Sequence, residues 1–223
     1  MVDLEQIFNP LLLSIKVVLV SAVLFLFFGT FIAYILSIKK MKFRWLLDSI
    51  VTFPLIFPPI AIGFFLLLLL GENGLIGSCF AKFNITFVFS FSGLVIAGFI
   101  AGFPLMVKPL EASISNFSTN IKEAAYISGK SSFETFLRIV LPSIRGTLLA
   151  SLLIASARAM GEVGITLMLG GNIIGKTDTI SLAIYNAVFD GEYNLALILS
   201  FVLVVVSMLL VFIFNKLAVP TNF

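Results

Sequence analysis

The 223-residue sequence has no histidine, a single cysteine and little charge of either sign. Without histidine, metal centres and acid–base catalysis lose their commonest side chain. One cysteine, Cys79, excludes an intramolecular disulfide. Charged residues are 11% of the chain, against about 25% in soluble domains. That is too few to cover a water-facing surface. The N-terminal stretch MVDLEQIFNP holds the acids Asp3 and Glu5 and no base precedes Lys16. It therefore lacks the positive start of a cleaved signal peptide, and the first apolar segment is expected to be retained.

What is present is hydrophobic: 60% of residues, with a mean hydropathy of +1.18. Long apolar runs without period-two alternation imply an all-α integral membrane protein rather than a barrel. Five segments are long enough to cross a hydrocarbon core of about 30 Å. They are expected near residues 11–38, 49–70, 86–109, 144–168 and 193–216.

Lysine and arginine orient such a chain. Lys39, Lys40, Lys42, Arg44, Lys108, Lys122, Lys130, Arg138, Arg145 and Lys216 fall on one side, and only Lys82 and Lys176 on the other. The polar connection 110–143 is then cytoplasmic, with the N-terminus outside and the C-terminus inside. Lys108, near the cytoplasmic end of the third span, is expected to snorkel to water.

This orientation bears on GGNIIGKT, residues 170–177. Gly170, Gly175, Lys176 and Thr177 spell the phosphate-cradling pattern G-x-x-x-x-G-K-[ST]. A working loop of that kind follows a β-strand and faces the nucleotide pool. Here a membrane helix precedes it on the external side, so a glycine-rich turn is expected instead.

The cytoplasmic connection carries the most specific pattern, EAAYISGKSSFETFLRIVLP over residues 123–142. It reads as two short helices. Ser118 or Asn120 can cap the first, and Gly129 suits the left-handed position that ends it. Ser131 and Glu134 have capping-box spacing for the second. Phe133, Phe136, Leu137 and Val140 give that second helix an apolar stripe. Ala124 and Ala125 allow close approach of another surface, and Glu123 offers it one charge. A plain interfacial helix pair remains the alternative.

The pattern E-A-A, three residues, G, nine residues, I-x-L-P resembles the loop signature of ABC importer permeases. Glu123, Ala124, Ala125, Gly129, Ile139, Leu141 and Pro142 match at all seven fixed positions. The stretches FGTFIAYILSIKK, TFPLIFPPIAIGF, GENGLIG and ARAMGEVGITLMLGGNIIGKTDTISLAIY resemble the molybdate branch and its sulfate and tungstate relatives. In that branch the G-N-I-x-G-K-T run recurs as a plain loop. The resemblance implies a type I importer permease fold over residues 10–215, with a coupling loop at 118–140. It implies that Glu123, Ala124, Ala125, Gly129 and Phe133 meet a separate ATPase subunit. It also implies two cytoplasmic ATPase subunits and an external anion-binding protein, docked around residues 71–85 and 169–192. The chain itself would be no enzyme and carry no ATPase site, cofactor or metal, and it would bind no nucleic acid. Five spans make too thin a bundle to enclose an oxyanion, so a homodimer within membrane lipid is expected.

Within the spans, Pro54, Pro58 and Pro59 interrupt the second, and irregular backbone there suggests a pathway lining. Arg158 and Glu162 stand four apart on one face of the fourth. They form either a mutually satisfied pair or a site where Arg158 attracts an anion and Glu162 tempers it. Gly98 and Gly102, with Gly93, Ala97 and Ala101, form small rows suited to helix packing. An ion-coupled secondary transporter is the rival from another class. It would carry paired broken helices, and only one proline-broken span is visible.

Overall fold

A computed structural model describes residues 4–38 and 41–218. The readings that rest on Asp3, Lys39 and Lys40 lie outside them. Every regular element among the described residues is a helix: α1 (Leu4–Ser37, with a π turn at Phe25–Gly29), α2 (Arg44–Ile56), α3 (Pro59–Leu70), α4 (Gly77–Ala81), α5 (Phe91–Ser115), α6 (Thr119–Ile127), α7 (Ser132–Ser143), α8 (Arg145–Met160), α9 (Gly164–Gly170), α10 (Ile180–Phe189) and α11 (Tyr193–Ala218).

α5 is the axis of the bundle, with α1, α2, α8 and α9 packed around it. Small residues make this possible. Ala97 and Ala101 are buried, and a side chain at Gly102 would strike the backbone carbonyl of Ala155 on α8 and the ring of Phe25 on α1. The small row therefore lets backbones approach, as expected. One cluster joins Phe25, Leu36, Met106, Leu110, Phe136, Val140 and Ala155. A second, Ile62, Ala97, Ala101, Ile165 and Leu169, seals α3 and α9 onto α5.

Three helices are long and apolar enough to cross a membrane: Leu4–Ser37, Phe91–Ser115 and Tyr193–Phe214. The other two expected spans fall on bent helix pairs, α2 with α3 and α7 with α8, and counting each pair as one broken span gives the expected five. Segment 49–70 bends by 118° between α2 and α3. Segment 144–168 starts at Arg145 and breaks after Met160, resuming at Gly164.

Lys108 reaches solvent, its side chain 37% exposed, and is also paired. Its Nζ lies 2.6 Å from Asp48 Oδ1 and 2.7 Å from Glu111 Oε2. Arg44 Nη2 donates to Glu111 Oε1 at 2.6 Å, and its Nε donates to the Leu36 carbonyl at 2.8 Å. Glu111 is buried, and a carboxylate there needs such partners. The network clamps α1, α2 and α5 at one end of the bundle.

Candidate translocation and coupling sites

The two broken segments meet. A Cβ on Gly164, the first residue of α9, would stand 3.0 Å from Pro59 Cβ and 3.1 Å from Ile60 N at the start of α3. One turn on, Gly63 faces Ile165 and Met168 as closely. Thus α3 and α9 start together and run side by side in one direction. The sequence reading found one broken span without a partner; the structure supplies the partner at residues 161–163. No proline marks it, which is why it was missed.

Pro54 lies within α2, Pro58 caps α3, and Pro59 is its first residue. Pro58 and Pro59 sit at the exposed apex of the bend. Pro54 lines a cavity of about 600 Å³ between α2, α3 and α5, together with Ile50, Phe53, Phe65, Leu69 and Phe99. That apolar lining suits hydrocarbon rather than an oxyanion.

Arg158 and Glu162 are not on one continuous helix, because α8 ends at Met160. They still pair, Arg158 Nη1 lying 2.6 Å from Glu162 Oε2. The Glu162 side chain is 1% exposed and that of Arg158 is 35% exposed. Glu162 Oε1 also accepts the Ile165 N–H at 2.8 Å. The carboxylate therefore caps one free donor of α9 while Arg158 balances its charge. A glutamate three residues before a helix-start donor was the available sequence signal.

In the loop 118–140, Ser118 occupies the position before α6 but makes no side-chain cap. Gly129 is left-handed at φ +80°, and the N–H groups of Gly129 and Lys130 return to the carbonyls of Tyr126 and Ala125. This is the glycine-terminated end the sequence called for. Ser131 Oγ accepts the Glu134 N–H at 3.1 Å. The reciprocal half of the box is replaced by Glu134 pairing with Arg138 at 3.0 Å and Lys130 at 3.6 Å.

Glu123 and Ala124 are exposed, whereas Ala125 is buried and faces the protein's own core. The expected apolar stripe divides: Phe136 and Val140 enter the core, while Phe133 and Leu137 face out. Ile121, Tyr126 and Ile127, the last 88% exposed, extend that outward face. The result is an apolar surface with one acid, ringed by polar turns.

The GGNIIGKT stretch closes on itself. Thr177 Oγ1 accepts the Ile173 N–H and donates to the Gly170 carbonyl. Asp178 Oδ1 accepts the Gly175 N–H at 2.9 Å. Thr177 is fully buried, and α10 begins only at Ile180. The hydroxyl that would meet a magnesium ion and a donor that would cradle phosphate are both used internally. Burial raises the Asp178 carboxyl above its ordinary value, against the pull of its own N–H and that of Gly175. Asn172 and Asn186 exchange amide hydrogen bonds at 2.6 and 3.0 Å, tying the loop to α10.

Residues 25–220 match the family described as "Binding-protein-dependent transport system inner membrane component". The chain belongs to this family. The molybdenum transport system permease protein ModB of Escherichia coli K12 is 34% identical over 91% of this chain and 90% of its own length. ModB of Haemophilus influenzae is 35% identical over 78% of this chain and 76% of its own. The sulfate transport system permease protein CysT of E. coli K12 is 31% identical over 96% and 79%. A bacterial alginate ABC transporter, solved with an alginate-bound periplasmic protein, superposes with a TM-score of 0.72 at 19% identity. It covers 96% of this chain and 78% of that one. The fold is that of a type I ABC importer permease, and the chain is a multi-pass cell-membrane transport subunit.

Proposed function

We propose that this chain is the membrane-spanning subunit of an ATP-driven importer for molybdate. The observation that carries this reading is the similarity of 31–35% to several molybdenum permeases over most of the chain. Sulfate permeases at 31–32% identity favour a sulfate or thiosulfate cargo as the second reading; tungstate is chemically close to both. Two copies form the pathway, and two ATPase subunits grip the surface around Glu123, Ala124, Gly129 and Phe133. Ala125 supports that surface from behind. ATP binding closes the ATPases, draws the two loops together and turns the pathway outward; hydrolysis resets it.

The orientation is N-terminus outside and C-terminus inside, which puts the connections 71–85 and 169–192 toward an external binding protein. The paired starts of α3 and α9, with Pro58, Pro59, Arg158 and Glu162, border the pathway. Pro54 shapes the elbow beside them. A second broken segment removes one argument against a secondary transporter, so the energy source must be tested directly. Proteoliposomes holding the permease and its ATPase are loaded with ATP, and uptake is measured with the external binding protein present. ATP-dependent uptake of molybdate in preference to sulfate is expected. Uptake driven by an ion gradient without ATP would sink the proposal; uptake of sulfate alone would change the cargo.

A further inference from the structure

Among the described residues, the cavity of about 600 Å³ between α2, α3 and α5 has a wholly apolar lining. An apolar path leads to it from the start of α2. Phe43, Leu46, Ile50 and Phe53, spaced three, four and three residues apart, place exposed apolar side chains along one face. Ile50 and Phe53 line the cavity itself. From Phe43 to Ile50 the stripe runs about 10 Å at 1.5 Å per residue.

Positive charge gathers at the other end of the stripe. Lys39, Lys40, Lys42 and Arg44 lie close together in sequence, and no acid occurs between Glu5 and Asp48. The acids that reach this end of the bundle are already matched, Asp48 and Glu111 pairing with Lys108 and Arg44. Lys42 is exposed and has no hydrogen bond or ion pair among the described residues. α2 opens at Phe43 without a side-chain cap, so its first N–H groups add donors beside that lysine. Trp45, the chain's one tryptophan, is 69% exposed, as suits a ring at a membrane–water interface. A basic rim, an interfacial ring, an apolar stripe and an apolar cavity follow one another in the order of a phospholipid's phosphate, glycerol level and acyl chain.

We propose that an anionic phospholipid occupies this site, its phosphate at Lys42 and the start of α2 and one acyl chain in the cavity. At about 30 Å³ for each water-sized group, the cavity has room for the lower part of a chain. The basic rim favours lipid over a second copy of this chain, whose matching segment brings no acid to it. Phe65 and Leu69 face the cavity, on the side of α3 away from Gly63 and its contact with α9. An acyl chain there backs α3 against α9. The effect of that support on transport, and the cytoplasmic leaflet as the lipid's source, rest on the function and orientation proposed above; the binding itself does not.

The test uses the full-length permease in bilayers of phosphatidylethanolamine and phosphatidylglycerol, one or the other carrying brominated acyl chains. Bromine quenches tryptophan on contact, and Trp45 is the only reporter in the chain. Brominated phosphatidylglycerol is expected to quench it about tenfold more effectively, by mole fraction, than brominated phosphatidylethanolamine. Lys42→Gln should cut that preference about fivefold, and added salt should weaken it further. Crystals of the transporter complex grown with the brominated phosphatidylglycerol should show a bromine anomalous peak between Phe53, Phe65 and Phe99. Ile100→Phe, which narrows the cavity without touching the rim, should weaken that peak. Equal quenching by the two lipids, or a preference unchanged in Lys42→Gln, would overturn the proposal. So would bromine peaks only elsewhere, or a cavity filled by side chains of a second copy. Failure of ATP-dependent molybdate uptake with the lipid preference intact would remove the cargo reading and leave this site standing.

Discussion

The two helix breaks that meet at the starts of α3 and α9 solve one problem by different chemistry. Between α2 and α3, the chain turns through 118° at Phe57–Pro58, and Pro59 then occupies the first helical position. Proline has no N–H, so part of the donor problem at a helix start is removed covalently. Between α8 and α9 there is no proline. The donors remain, and Glu162 supplies the acceptor for Ile165. A carboxylate at that depth then needs Arg158 as its counter-ion. The first break is fixed in the covalent chain. The second depends on one ion pair, and is therefore the labile member of the two.

Glu162→Ala should break this comparison most severely. It removes the cap and leaves Arg158 without its partner. The loss should be about 3 kcal/mol, at the low end for a buried pair because Arg158 reaches solvent. Thermal unfolding of the purified protein measures it; wild-type stability would mean that Glu162 does not hold the break. Gly164→Leu should come next, forcing α9 away from Pro59 at about 1–3 kcal/mol. Uptake should fall with the melting temperature.

Pro58→Ala with Pro59→Ala should alter uptake at unchanged expression, and unaltered uptake would count against a pathway-lining role. Arg158→Gln keeps a donor for Glu162 and should cost about 1 kcal/mol with uptake retained. Lost uptake at wild-type stability would instead put Arg158 in contact with the anion.

The smallest effect lies beyond α9. Asp178 has a raised folded-state pKa, so its charged form is disfavoured there. Its relative contribution is greatest in acid and declines as pH rises from the ordinary aspartate range through the raised value. Asp178→Asn should therefore be slightly more stable than wild type at neutral pH, the gain shrinking on acidification. A gain that grew in acid would contradict the sign.

Legibility in the sequence followed the range of the interaction. Pro58 and Pro59 act locally, so that break could be read; Glu162 acts through a cap and an ion pair, so the second could not. Gly129 and Ser131 were legible because left-handed glycine and serine caps are local chemistry. The stripe of Phe133, Phe136, Leu137 and Val140 divides into buried and exposed halves because helical periodicity gives a face but not what covers it. The Arg44–Glu111 and Lys108–Asp48 pairs join positions 67 and 60 residues apart. Lys108 was visible only as a lone cation, although Glu111 at the i+3 position was a local hint. The membrane class itself followed from composition, because lipid imposes helices on any chain this apolar.

The central claim is that the surface around Glu123 couples an ATPase to movement of molybdate. The direct measurement is ATP hydrolysis by the reconstituted complex, with and without molybdate-loaded binding protein, in wild type and Glu123→Lys. The account expects molybdate to stimulate hydrolysis in the wild type and the variant to abolish that stimulation while the spans remain folded. Stimulation that survives Glu123→Lys, or a chain that assembles with no ATPase, would contradict it.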